Sequence, residues 1–361
     1  MKLTFNFLIP LIITSAVFYS CSREEITNTP IDTYAGVFVL YEGDFNTPGS
    51  GDYSFISSKN DSVSNNVYQN SNNGANLGLL PDGMIIYTNL ELFVSSQGSY
   101  GSAGKMFRIN SRTNKLTDTV TFGTNPYSLC YTTGRIYATN IAGNTVTKLD
   151  LDLNVLSTIT VGNNPSEITT AGNYVYVSKA SYTTQNTFSI IDIGNNSVTQ
   201  IPFSSTPVSS AVINGKVYVS TYTNKVIYVM NYIDTLNPNI VNDSITLPPS
   251  VFTRDASTFI VAADFSTLYV VGADTGAWGF NIGKTVYKID IPSKTVTQLI
   301  DLAGSDDIYG IDYDRDRKYL YIANSRGGLS NGNVLKYDSQ GVLVKTYEIG
   351  GKFPRRFAFA Y

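Results

Sequence analysis

Any side chain here that could move a proton or hold an ion is a carboxylate, an amine, a guanidinium or a phenol, because the 361 residues contain no histidine. That absence removes Ser-His-Asp and Cys-His nucleophiles, imidazole acid-base work and histidine-ligated metals. Carboxylate chemistry remains. Its candidates are Glu42, Asp44, Glu167, Asp255, Asp264 and the neighbours Asp306 and Asp307. Two carboxyls near one axis act as acid and base, or hold calcium with loop carbonyls. Their spacing matches no EF-hand loop, and sequence neighbourhood fixes no pair at reacting distance. No glycine-rich phosphate loop or nucleophile elbow occurs. Cys130 lies in the apolar run Tyr127–Tyr131 and reads as a small buried hydrophobe. The residues ask for no metal and no cofactor, and they point to binding rather than to an enzyme.

The binding candidates are aromatic. Phe45, Tyr100, Tyr182, Tyr222, Trp278 and Phe280 stand in stretches rich in Gly, Ser, Thr and Asn, with Asp44 and Arg326 among them. Rigid rings in such a setting offer large contact area at low entropic cost. Asn125, Asn164, Arg254, Asp306 and Arg355 stand at corners that lead toward the middle of the fold. Asn after Gly at such corners also serves turn chemistry.

The elements that position these residues repeat. Tyr137-Ala138-Thr139-Asn140, Tyr176-Val177-Ser178-Lys179, Tyr218-Val219-Ser220-Thr221, Tyr269-Val270-Val271-Gly272 and Tyr321-Ile322-Ala323-Asn324 each follow a tight polar turn. Each precedes an alternating run, then a further turn and a further run. A Gly-x-x-Pro step opens the next unit at Gly123–Pro126, Gly162–Pro165 and Gly351–Pro354. A period of roughly 40 to 55 residues with four short strands is propeller spacing. The charged fraction is 15%, against roughly 25% in typical soluble domains. Polarity comes from Asn, Ser, Thr and 26 Tyr, a mixture suited to strands and turns. The formal net charge of -3 gives no electrostatic reason to expect nucleic acid or an anionic membrane surface as partner.

These repeats resemble the YVTN-repeat, or YncE-like, family of β-propellers across residues 36–361. The expected fold is all-β, a seven-bladed propeller of four-stranded antiparallel blades. Residues from Gly36 begin with the second strand of a blade, and Arg355 to Tyr361 supply its missing innermost strand. The other blades start near Asn76, Gly123, Gly162, Ser204, Pro248 and Gly304. Turns between first and second strands are short, whereas several between second and third strands are long. The long ones run from Gly43 to Gly51, Ser96 to Gly104, Ala180 to Gln185, Ala273 to Asn281 and Asn324 to Asn333. Long loops on a rigid scaffold carry function, so this face is the expected binding face. The run Asp312–Arg317 reads as a solvated turn on the opposite face.

Residues 1–20 read as a secretion signal: Lys2, then an apolar run from Phe5 to Phe18 too short for a membrane span. Phe18-Tyr19-Ser20-Cys21 resembles a lipobox, which implies lipidation of Cys21, with a polar tether over 21–35. Ser22-Arg23-Glu24-Glu25 resembles the surface-export tag of Bacteroidota lipoproteins. The implied place is the outer membrane, lipid-anchored and facing outward; a periplasm-facing or secreted form is the alternative.

The opening Gly36–Phe45, followed by Asn65-Asn66-Val67-Tyr68, is similar to the start of Bacteroidota surface lipoprotein propellers that capture vitamin B12. That resemblance implies a corrinoid on the loop face and an outer-membrane transporter as partner. A protein- or glycan-binding adhesion module is the second reading. A lactonase- or lyase-like enzyme using carboxylates and a metal is the third.

Overall fold

A computed structural model describes residues 35–223, 225–232, 239–248, 260–275, 281–304 and 306–361. These residues form seven four-stranded antiparallel sheets, the blades of a β-propeller. Blade 1 joins Pro354–Ala360, Gly36–Tyr41, Asp52–Ser57 and Val63–Ser64, in that order from the axis outward. Blades 2 to 7 begin with innermost strands Pro81–Tyr87, Pro126–Thr132, Pro165–Ala171, Pro207–Ile213, Ile260–Ala262 and Ile308–Asp314. Each innermost strand packs beside the next, and Pro354–Ala360 lies between those of blades 7 and 2, which closes the ring. The seam pairs Val37 with Phe359 and Val39 with Phe357, so no raw sheet edge is left at the chain ends.

The repeated Tyr is core. Tyr137, Tyr176, Tyr218, Tyr269 and Tyr321 are all buried in second strands. Period-2 alternation sends side chains to both faces of a blade, and each face packs on a neighbouring blade. Cys130, Tyr137 and Val146 of blade 3 thus meet Ile168, Val175 and Ile191 of blade 4 in one cluster. Cys130 is buried there as an unpaired thiol, and burial pushes its pKa up. Fourth strands face solvent, as the exposed Val155, Leu343 and Val344 show.

Blade 1 departs from the repeat. Its outer strand is two residues long and is followed by a short helix, Val67–Ser71. The Asp52 carboxylate accepts the N–H groups of Tyr68 and Gln69 at 2.9 Å each, satisfying donors that a helix start leaves open. Asn65 and Asn66 are also structural: they accept from Ser54 Oγ at 2.7 Å and from Tyr41 Oη at 2.6 Å.

Two expectations about loops are corrected. The stretch from Ala273 to Asn281 is not wholly loop, since Ala273, Asp274 and Thr275 pair with Gly283, Ile282 and Asn281 in an extended hairpin. Asp312 is not part of a solvated turn. It lies within the innermost strand Ile308–Asp314, and the turn begins after Asp314, which is buried and paired with Arg317 at 2.7 Å.

Candidate functional site at the loop face and channel

One backbone device organises the loop face. In six of the seven blades the residue just before the innermost strand accepts a hydrogen bond from the first residue of the long-side loop. The bonds are Glu42 N to Phe353 O at 3.1 Å, Gln97 N to Leu80 O, Ile141 N to Asn125 O and Ala180 N to Asn164 O at 3.0 Å, and Tyr222 N to Thr206 O and Ser325 N to Asp307 O at 2.9 Å. This corner ties every described loop of that face to the channel rim. Four of these corners have positive φ: Leu80 at 52°, Asn125 at 51°, Asn164 at 50° and Phe353 at 55°.

A second device aims side chains at the axis. In six of the seven blades the innermost strand slips register against its neighbour just inside the rim, at Pro81/Gly83, Pro126/Leu129, Pro165/Ile168, Pro207/Ser209, Ile308/Gly310 and opposite Leu40/Tyr41. Such bulges re-aim the extra residue. The residues so placed include Asp82, Tyr127, Glu167, Tyr309 and Arg355. Gly310 is needed at this level, because a Cβ there would meet the Arg355 carbonyl oxygen at 2.0 Å.

These bulge residues form a buried charged cluster. The Arg355 guanidinium is 2.8 Å from Asp82 Oδ1 and is hydrogen-bonded to Glu42 Oε1. It lies 4.3 Å from the Tyr127 ring centroid and 5.8 Å from that of Tyr309, whose hydroxyl donates to Glu42 at 2.9 Å. Arg356 grips Glu167 with two bonds, 2.7 Å and 2.8 Å, and Ser128 Oγ donates to the same carboxylate at 3.1 Å. Gln97 Nε2 donates to Asp82 Oδ2. Burial drives the Asp82 carboxyl well above the usual carboxylate range; Arg355 opposes the rise and Glu42 adds to it. Burial thus favours the neutral form of Asp82 beside Glu42.

Arg355, Arg356 and Glu167 of the cluster also line a cavity of about 190 Å³. Met84, Ser128, Glu167, Thr169, Ser209, Ser210, Asp312 and Arg356 are among its walls. Burial raises Asp312 to about 6; the Tyr313 amide, Arg315 and Arg356 pull it down and Asp314 pushes it up.

The sequence-derived site residues divide. Tyr100 (85% exposed), Tyr182 (63%) and Phe45 (50%) stand out on the loop face. Tyr222 is half-buried and packs against the core between blades. Asp44 bonds Lys352 at 2.9 Å, which with the Asn46 amide lowers its pKa. Arg326 is committed to Glu348 by two bonds of 2.6 and 2.8 Å. Asn125 is buried: its amide donates to the carbonyls of Gln97, Gly98 and Ser99 and accepts from Gly101 N, so it shapes a loop and does not face solvent. Asn164 likewise donates to Ile141 O at 2.9 Å. Asp306 accepts from Asn324 Nδ2 at 2.8 Å, and Asp307 from Gly283 N and Ser325 Oγ at 2.9 Å each. Asp264 sits exposed on an opposite-face turn, accepting from Ser266 N. Arg254, Asp255, Trp278 and Phe280 lie outside the described residues, as does Cys21. Asp82, Arg356, Tyr127, Tyr309 and Phe353 were not singled out by sequence reasoning.

Residues 35–360 match the model of the domain of unknown function DUF5074, and the chain belongs to that family. Solved structures share the propeller. A quinonprotein alcohol dehydrogenase-like protein from Bacteroides thetaiotaomicron is similar with a TM-score of 0.66 and 14% identity, over 91% of this chain and 79% of that one. The periplasmic gluconolactonase of Pseudomonas aeruginosa gives 0.64 and 12%, over 90% and 99%. Hydrazine synthase of Kuenenia stuttgartiensis gives 0.56 and 17%, over 74% and 86%. Comparison with curated proteins gives no match. At these identities the likeness is one of fold. It corrects the expectation that the chain is not an enzyme. A gluconolactonase carries a similar propeller over 99% of its own length, so the fold does not argue against catalysis.

Proposed function

We propose that this propeller captures a corrinoid on its loop face, at the outer surface of the outer membrane, and hands it to a membrane transporter, with lipid on Cys21 as the anchor. The observation that carries the reading is the set of exposed rings, Phe45, Tyr100 and Tyr182, on loops of three blades that are pinned to one rim. A macrocycle offers a wide apolar face and a fringe of amides, which rings and loop amides suit together. Fixed loops also lower the ordering cost of binding. The opening segment resembles corrinoid-capturing propellers, which supports the same choice. The test is a titration of the full chain in detergent against cyanocobalamin, beside Tyr100→Ala and Tyr182→Ala. Binding that weakens in both variants supports the proposal. No binding by the unaltered chain at micromolar concentration refutes it.

A second reading is supported by the axial cluster. A buried carboxyl pushed toward its neutral form beside a second carboxyl group, with two guanidinium groups near, is equipment for proton transfer and for stabilising negative charge. Ring-opening of a sugar lactone is the matching reaction class. Turnover of gluconolactone that Asp82→Asn abolishes supports it, and no turnover removes it.

A further inference from the structure

The rim corner at Phe353 places a bulky residue at positive φ, as the Leu80 corner of blade 2 also does. At positive φ, Asn is well tolerated and a bulky aromatic residue is an outlier. Asn occupies the equivalent corners of blades 3 and 4, where its side chain bonds the adjoining loop. Phe353 holds the same backbone at φ 55° and is given no such bond; its ring goes elsewhere. The ring lies over Gly328, where a Cβ would meet it at 2.3 Å. Its centroid is 4.7 Å from that of Phe45 and 5.3 Å from that of Tyr309. Tyr309 in turn bonds Glu42 and lies near Arg355. A continuous ladder of rings therefore leads from exposed Phe45 down to the charged cluster. Strained conformations persist where surrounding structure holds them, and they gather at ligand sites.

We infer that Phe45 is a stacking contact for the face of a planar ring ligand, and that Phe353 is its positioning residue, fixing the Phe45 ring at the rim. This rests on the loop-face reading above and deepens it. A ligand lying on Phe45 has the polar mouth beside it, so the structure favours a ring with an apolar face and hydrogen-bonding edges.

The test measures cyanocobalamin affinity and melting temperature of the full chain in detergent for Phe45→Ala, Phe353→Asn, Phe353→Tyr and the double variant Phe45→Ala/Phe353→Asn. Phe353→Asn suits the corner, so its melting temperature stays level or rises. Its affinity falls at least tenfold, and Phe353→Tyr restores it. Phe45→Ala loses a similar factor, and the double variant loses no more than Phe45→Ala alone, because one residue acts through the other. Phe353→Gly, free at positive φ, replaces the Asn variant if that variant does not fold. Full affinity in either single variant, or losses that multiply in the double variant, overturns the inference and leaves the corrinoid reading standing. No binding by the unaltered chain overturns both.

Discussion

The guanidinium of Arg355 lies 2.8 Å from the carboxylate of Asp82, and this pair joins the last strand of the chain to the first strand of blade 2. Arg355 is 4% exposed and Asp82 is fully buried. Removing one partner of a buried pair strands the other charge. Arg355→Met leaves Glu42 facing Asp82 without its cation and should cost about 3–5 kcal/mol in denaturant unfolding. Asp82→Asn should cost about 1 kcal/mol or less, because burial already favours the neutral carboxyl that Asn mimics. A large loss in the Asn variant would show that Asp82 is ionised and needed as such.

Closure by Pro354–Ala360 makes the C-terminus an internal part of the ring. The strand pairs along all of Gly36–Tyr41, and it carries Arg355 and Arg356 to the axis. A chain ending at Phe353 should show no cooperative unfolding transition by circular dichroism. Fraying of blade 1 alone, with the remaining blades melting normally, would contradict that view.

Local pattern made the fold readable. Tyr-Val-x-x strands, tight polar turns and Gly-x-x-Pro corners each act over a few residues, so each shows in the sequence. Exposed Tyr100 and Tyr182 were readable for the same reason, as rings among Gly, Ser and Thr. The axial cluster was hidden because ring closure assembles it. Glu42 and Arg355 are 313 positions apart, and Glu167 and Arg356 are 189 apart. Glu167 was visible as a carboxylate candidate and Arg355 as a corner residue, but nothing local announced that they meet. Asp82 was masked by its own repeat, since only the register slip at Pro81/Gly83 turns it inward. Phe353 did leave a signal. It stands before Pro354 where Leu80, Asn125, Asn164 and Thr206 stand before Pro81, Pro126, Pro165 and Pro207, and it is the one aromatic residue at these five Pro-preceding corners. Asn125 was read too generously, because turn chemistry consumes its whole side chain.

Asp312 gives a pH dependence with a definite sign. Burial raises its pKa to about 6 from the ordinary 3.8. A raised carboxyl contributes stability below about pH 4 and loses it as pH rises through about 6. Asp312→Asn should therefore match the unaltered chain at acid pH and exceed its stability most near pH 7, where only the unaltered chain carries a buried charge. The unaltered chain's relative stability should fall by about 2–3 kcal/mol between pH 4 and 7, at 1.36 kcal/mol per pKa unit. Denaturant unfolding at pH 4, 5, 6 and 7 measures the difference. A difference that stays constant across that range would mean Asp312 is solvated and not perturbed.

Lys179 gives the opposite sign. It ends the second strand of blade 4, fully buried, at the place where blade 3 has Asn140 and blade 7 has Asn324. Its ammonium donates to Val161 O and to Ser189 Oγ, the latter at 3.0 Å. Burial lowers its pKa to about 8 from 10.5. A lowered amine contributes stability above its unfolded pKa and loses it as pH falls through about 8. At pH 7 the charge is therefore a cost of up to about 3 kcal/mol, by the same 1.36 kcal/mol per unit. Lys179→Met removes that cost and keeps the unbranched stem that fills the space. Val161 O keeps the bonds from Ser189 Oγ at 2.6 Å and Gln200 Nε2 at 3.1 Å, so no acceptor is stranded. The variant should be more stable at pH 7 by about 1–2 kcal/mol, after allowance for the lost ammonium bonds. The gain should shrink as pH rises toward 10, where the amine is neutral in both states. Loss of stability at pH 7 would mean that the ammonium bonds outweigh its desolvation, and that blade 4 depends on the charge.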